Sequence, residues 1–252
     1  MKIKQIITLT IAFAVLFFLI FHPKGTEVYV NQNNQPAKEN PFNELNLEAR
    51  AVYVFDLAGN KPLFGLNENT QLPLASLTKI MTVVVAKEIA IKDISELADS
   101  ALMQSSNESA SALASMDNDF INLMNQRAKE LNLNQTYFLN ETGLDISENL
   151  SGGYGSAKDI AKLIIYALRN NPHLFETTTT NSPVNTNPYA TTTTELIASK
   201  TGWTDLAGGN LAVVFDAGLD HPIIAVVLGS SKEERFTDMQ KLIETTFKFL
   251  SL

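Results

Sequence analysis

Leu196-Ile197-Ala198-Ser199-Lys200-Thr201-Gly202-Trp203 reads as a strand, and two more strands follow it at residues 210–217 and 222–229. Gly218-Leu219-Asp220-His221 closes the last two as a hairpin. A second hairpin lies far upstream: residues 51–56 run to the turn Ala58-Gly59-Asn60, and residues 61–66 return. Between these ends the pattern is helical. Residues 76–91 are apolar along much of their length, which predicts a central helix. Further helices are expected near 94–103, 108–116 and 119–131, and Phe120, Leu123, Met124 and Arg127-Ala128 mark one face of the last. Ser156-Ala157-Lys158-Asp159 forms a loose capping box before another helix, with Ile160, Leu163, Ile164, Ala167 and Leu168 inward. Two threonine runs, 177–180 and 191–194, read as strand and loop. Phe236, Met239, Ile243, Phe247 and Leu250 form the stripe of a closing helix. Strands at both ends predict an α/β (α+β) fold, in which one antiparallel sheet is flanked by helices. An all-helical lobe is inserted between its halves.

Composition narrows the chemistry. The 252 residues are 45% hydrophobic and 18% charged, enough for one globular domain with a proper core. There are no cysteines, which excludes a thiol nucleophile, a disulfide framework and cysteine metal sites. The three histidines, His22, His173 and His221, sit beside the apolar leader or in turn-like, proline-adjacent segments. A Ser-His-Asp triad and a histidine metal site are therefore disfavoured, and no cofactor is expected. A net charge of −8 without basic runs argues against nucleic acid as a partner.

Lys2 and Lys4 precede an uncharged run over residues 6–21. As a helix this run spans roughly 24 Å, slightly short of a bilayer core, and flanking lysines can snorkel. The basic end is expected to stay cytoplasmic, with the rest of the chain outside. Phe21-His22-Pro23-Lys24-Gly25-Thr26 makes a poor signal-peptidase site, so residues 1–24 are read as an uncleaved membrane anchor, the alternative being a cleaved secretory signal. Residues 25–47 are polar and read as a linker, leaving 48–252 as the folded domain.

Three short motifs carry the chemistry, in chain order. Ser76-Leu77-Thr78-Lys79 places a hydroxyl and an amine three residues apart, on one helical face. A serine needs a base, and Lys79 serves only if partly neutral. Burial and a second cation such as Lys200 both push it that way. Ser76 at a helix start also meets unpaired N–H groups. Ser105-Ser106-Asn107 falls between two helical patterns. Ser105 can relay a proton and Asn107 can hold an amide, although serine and asparagine in such turns more often serve as caps. Lys200-Thr201-Gly202 ends a strand with a cation, a hydroxyl and an approachable backbone, a combination suited to a carboxylate. Each motif alone is common. Together and in order they describe acyl transfer through a serine ester.

The stretches around these motifs resemble the serine D-alanyl-D-alanine carboxypeptidases among the low-molecular-mass penicillin-binding proteins. The likeness lies in Leu74-Ala75-Ser76-Leu77-Thr78-Lys79-Ile80-Met81-Thr82, in Ser106-Asn107-Glu108-Ser109-Ala110, and in Met124-Asn125-Gln126-Arg127-Ala128-Lys129-Glu130-Leu131. It continues in Thr142-Gly143-Leu144-Asp145 and in Ser199-Lys200-Thr201-Gly202-Trp203-Thr204-Asp205-Leu206-Ala207-Gly208. It implies a β-lactamase-like fold and a peptidoglycan stem peptide as substrate, with β-lactams acylating the same serine. By the resemblance, Ser76 is the nucleophile, Lys79 the base, Ser105 the proton relay and Asn107 a positioner of substrate and lysine. Lys200 and Thr201, with Gly202 beside them, take the terminal carboxylate. The backbone N–H groups of Ser76 and Trp203 form the oxyanion hole.

Two departures from the family pattern stand out. The interval between Lys79 and Ser105 is shorter than usual, which predicts a more open cleft. The sequence also stops just after its closing helix, without the added β-rich domain and amphipathic anchor of many members, and the N-terminal run is expected to replace that anchor. Two other readings compete. A β-lactamase would need a deacylating base, for which Glu141 and Glu108 are the nearby candidates. A non-catalytic cell-wall or penicillin-binding protein would keep the pocket without turnover.

Overall fold

In the computed structural model, which describes residues 40–188 and 195–251, the two β-rich ends of the sequence pair with each other. β1 (Ala51–Asp56) and β2 (Lys61–Leu66) make the first hairpin. A short β3 (Leu72–Pro73) and a 3-10 turn, Ala75–Leu77, lead into α1 (Thr78–Ile89). Then come α2 (Ser95–Met103), α3 (Asn107–Ala114) and α4 (Phe120–Glu130). β4 (Tyr137–Phe138) and β5 (Gly153–Gly155) precede α5 (Ala157–Asn170). β6 (Leu196–Thr204), β7 (Gly208–Asp216), β8 (Pro222–Ser230) and α6 (Glu234–Leu250) close the fold.

The main sheet is antiparallel, in the order β2-β1-β8-β7-β6. β1 meets β8 in continuous register from Ala51↔Leu228 to Asp56↔Ile223, so the first and last strands of the sequence lie side by side. β6 is the edge strand. A separate small sheet, β3-β5-β4, braces the helical lobe.

Period-two alternation assigns each face of the main sheet to a different core. Ile224, Val226 and Leu228 pack with Ile80, Val84, Ile160 and Ile164 of α1 and α5. Ile223, Ala225 and Val227 face the other way, toward Met239 and Leu242 of α6 and toward Phe42. α1 is buried from Thr78 to Ala86 on every side, which is why its sequence shows no polar stripe. Thr78, Lys79 and Thr82 are the buried polar residues of this helix, and the last two face the site described below.

Several local expectations need adjusting. The first helix opens with the 3-10 turn holding Ser76 and ends at Ile89. The first threonine run forms a 3-10 turn, Glu176–Thr179, because Thr178 Oγ1 bonds the Phe175 carbonyl at 2.6 Å and draws the chain into a local turn. The second run and the expected anchor at residues 1–24 lie outside the described residues. From Asn40 onward the expected linker already belongs to the folded unit. Pro41–Glu44 forms a 3-10 turn, and Phe42 is buried with its ring stacked on Phe64 at 5.1 Å. No helix of the described residues is long and apolar enough to cross a membrane. The short interval between Lys79 and Ser105 reflects a tight link, residues 90–94, between α1 and α2.

Asp238 ties the two ends of the chain together. Its buried carboxylate accepts from Glu48 N at 3.1 Å, Ala49 N at 2.9 Å and Ser230 Oγ at 2.8 Å. Removing it strands two backbone donors. Asp238→Ala is expected to cost about 2–4 kcal/mol, read as a lower urea midpoint at unchanged slope. A midpoint equal to the parent's would show that the clamp contributes nothing.

Candidate active site

The turn that carries Ser76 is held by its neighbours. Leu74, Ala75 and Leu77 are fully buried, leaving Ser76 half-buried at the mouth of α1. Ala75 sits at φ 47°, a left-handed conformation that costs an alanine about 1–2 kcal/mol. Gly143, at φ 78°, packs against this turn, and a Cβ there would fall 1.8 Å from the Ala75 carbonyl oxygen. Gly202 of β6 approaches from the other side, where a Cβ would lie 3.0 Å from Leu74 O and 3.1 Å from Ser76 N. The glycine of Lys-Thr-Gly therefore lets the edge strand close on the serine backbone.

Lys79 is buried one turn below. Its Nζ lies 2.8 Å from Ser76 Oγ and donates to the Thr142 carbonyl at 2.8 Å. Burial pushes its pKa down to about 8, against the pull of the Glu141 and Glu108 carboxylates, which raise it. The expected help from Lys200 falls elsewhere. Lys200 is pushed well below the ordinary lysine range, chiefly by its own burial, and then by repulsion from Lys79 and Arg235.

Thr142 is a site residue that motif reading quoted without assigning it a role. Its loop is tied down at several points. Asn140 Oδ1 accepts from Gly143 N at 2.7 Å, and Thr82 Oγ1 donates to Glu141 O at 2.6 Å. Asp145 accepts from Thr204 Oγ1 at 3.0 Å and Leu206 N at 3.2 Å, fastening the loop to the end of β6. The usable signal in the sequence was the glycine in Thr142-Gly143-Leu144-Asp145, since a left-handed glycine against a helix start marks close backbone packing.

The second motif divides its labour. Ser105, at φ 60°, accepts from Lys200 Nζ at 2.8 Å, so it faces the cation of the third motif. Ser106 is the N-cap of α3, and its Oγ accepts from Ser109 N at 3.0 Å. Asn107 opens α3 with its Oδ1 buried and unpartnered, a vacant acceptor within the motif. Its expected contact with Lys79 is taken by the Thr142 carbonyl.

In β6, alternation turns Lys200 and Gly202 toward the helical lobe, the face shared with Ala198. Lys200 Nζ also donates to Thr201 O at 2.8 Å. The Thr201 hydroxyl donates to Thr186 Oγ1 at 2.7 Å, and Thr186 in turn donates to Met103 O at 3.2 Å. Trp203 points its side chain away from the serine, 44% exposed, with Lys232 Nζ 4.9 Å from the ring centroid.

No carboxylate among the described residues lies within ion-pair distance of Lys79, Lys200 or Arg235. Three basic side chains thus lie along the cleft and behind β6 with no carboxylate in contact, a setting that favours the neutral form of the two lysines. Glu108 accepts from Ser106 Oγ at 3.1 Å and Glu141 from Ser111 Oγ at 2.6 Å, and neither bonds Ser76. The histidines are engaged elsewhere: His221 with Asp56 at 2.8 Å and His173 with Glu176, while His22 lies outside the described residues.

A model of the D-alanyl-D-alanine carboxypeptidase family matches residues 87–232, which include the second and third motifs and begin just past Lys79. D-alanyl-D-alanine carboxypeptidase DacC of Escherichia coli is 28% identical, over 84% of this chain and 64% of that protein. The chain thus spans just under two thirds of that relative. A D-alanyl-D-alanine endopeptidase of Escherichia coli is 27% identical, over 76% of this chain and 75% of its own length. Among solved structures, ampicillin-bound penicillin-binding protein D2 of Listeria monocytogenes superposes with a TM-score of 0.72 at 26% identity, covering 81% of this chain and 99% of that one. With the family model matched over more than half of its length, the chain belongs to the D-alanyl-D-alanine carboxypeptidase family.

Proposed function

We propose that this protein is a serine D-alanyl-D-alanine carboxypeptidase that trims peptidoglycan stem peptides through an acyl-enzyme on Ser76. The observation that carries the reading is the buried Lys79 amine, 2.8 Å from Ser76 Oγ and lowered to about 8. A substrate carboxylate settles against Lys200 and Thr201, which places the scissile carbonyl beside Ser76 at Gly202. Neutral Lys79 takes the hydroxyl proton as Ser76 Oγ bonds the carbonyl carbon. The oxyanion is received by the N–H groups of Ser76 and Trp203. The C–N bond then breaks, and the proton passes through Ser105, which Lys200 orients, to the leaving D-alanine amine. Asn107 holds the substrate amide. Water, deprotonated by Lys79, hydrolyses the ester and restores Ser76. A β-lactam presents a carboxylate and a strained amide in the same geometry and acylates Ser76.

A second activity of the same mechanism, endopeptidase cleavage of cross-linked stems, is supported by the endopeptidase relative and by the tight 90–94 link, which leaves less rim around the cleft. The apolar run at residues 6–21 behind Lys2 and Lys4 supports a membrane tether with the domain outside the cytoplasm.

A fluorescent penicillin is expected to label the protein, and Ser76→Ala to abolish the label. D-alanine release from a stem pentapeptide accompanies it, and release from a cross-linked dimer reads the endopeptidase arm. A Ser76-independent label, or none, contradicts the reading, and fast loss of label with penicillin hydrolysis marks a β-lactamase instead.

The pH dependence has a fixed sign. Acylation needs neutral Lys79, so its rate rises with pH through about 8 and levels above it. Glu141→Gln removes a carboxylate that raises this pKa, so the rising limb moves to lower pH. A limb that stays in place, or moves upward, would show that Lys79 is not the titrating base.

A further inference from the structure

Arg235, on the first turn of α6, is 7% exposed, yet no carboxylate among the described residues pairs with it. Its Nη1 donates to the Gly202 carbonyl at 2.7 Å, and its Nε is buried without a partner. Glu233 acts on the guanidinium only from beyond contact distance and the Phe236 ring lies 4.6 Å from it, so its burial is still costly, which raises the question of what its one strong bond holds.

The bond falls on the peptide between Gly202 and Trp203. That peptide is trans, so its carbonyl and its N–H point in opposite directions. β6 is an edge strand with β7 on one side, and Arg235 reaches it past Gly209 of β7, the register partner of Trp203. A Cβ on Gly209 would fall 1.9 Å from the Ser231 carbonyl oxygen and 3.1 Å from Arg235 Cδ, so the chain entering α6, with the arginine stem beside it, packs directly on this glycine. With the Gly202 carbonyl taken on that side, the Trp203 N–H is turned to the opposite, unpaired edge, where Ser76 N lies against Gly202. The constraint answers a local weakness. Gly202 has to be glycine to let the strand close on Ser76, but glycine also leaves its own ψ, and so the 202–203 peptide plane, loosely defined.

We propose that Arg235 is a positioning residue for the oxyanion site: by holding the Gly202 carbonyl it fixes the 202–203 peptide plane and pre-aims the Trp203 N–H at the substrate oxygen. A cationic donor on the carbonyl also polarises the peptide and strengthens that N–H as a donor. Arg235 touches neither the substrate nor the carboxylate subsite in this assignment, which rests on the carboxypeptidase reading of Ser76.

The test separates transition-state binding from ground-state binding. In the full chain, Arg235→Ala is expected to lower kcat by about 10–100-fold, less than the roughly 10²–10³ seen when an oxyanion donor is itself removed. KM stays within about threefold, as for an interaction made only in the transition state. Affinity for a peptide boronate, which forms a tetrahedral adduct on Ser76, falls by the same factor as kcat/KM. Binding of the stem peptide is unchanged between Ser76→Ala and Ser76→Ala/Arg235→Ala. Arg235→Lys keeps a cationic donor and shows the same split with a loss of about three- to tenfold. It carries the test if the alanine variant does not fold. A matching loss of peptide affinity in the Ser76→Ala background would overturn the proposal and make Arg235 a carboxylate ligand. Unchanged boronate affinity would overturn it as well. An inactive parent enzyme that penicillin does not acylate would overturn the carboxypeptidase reading, and this one with it.

Discussion

The site depends on an amine held out of water. Lys79 lies in the most buried helix of the fold, and its Nζ has two partners, the Ser76 hydroxyl and the Thr142 carbonyl. Neither carries a charge. An ammonium in that position has no carboxylate in contact, so burial lowers its pKa to about 8 and a fraction of the amine is available as a base near neutral pH. Glu141 and Glu108 temper this from a distance, since each carboxylate favours the charged amine and raises its pKa.

The rest of the molecule reads as the apparatus that maintains this burial. α1 can be buried on every side because the sheet covers it from one direction and helices cover it from the others. The sheet in turn needs both ends of the chain, and Asp238 fastens the β1 entry to the end of β8. The loop of Thr142 is pinned to α1 through Thr82 and to β6 through Asp145, so the lysine's second partner and the edge strand are set by one segment. Two left-handed residues, Ala75 and Ser105, also lie here, where surrounding packing over-determines the backbone. Lys200 and Arg235 line the same strand, and no carboxylate among the described residues lies within ion-pair distance of either.

Much of this was legible in residue order. The β-branched and aromatic runs at 51–66 and 196–230 and the run 80–86, apolar but for Thr82, point to the sheet and its central helix through period and hydropathy alone. Ser76 and Lys79 meet because their spacing is helical. Other parts were hidden by the nature of the contacts. Thr142 acts through a backbone carbonyl, which any residue type could supply, so side-chain chemistry gives no sign of it. Arg235 reaches Gly202 across a gap in sequence that only the antiparallel packing closes. Lys200 looked like a second cation acting on Lys79, but how two buried amines share their repulsion depends on which is more desolvated, and that is a property of packing. Phe42 belongs to a polar stretch that reads as tether, and its burial is visible only once Phe64 lies beneath it.

The central claim is that Lys79 is a desolvated, partly neutral amine at neutral pH. Its direct test is a heteronuclear NMR titration of the Lys79 ε-position in the intact protein, assigned with Lys79→Arg. A midpoint near 8 is predicted, and one at the ordinary lysine value of 10.5 would contradict the account.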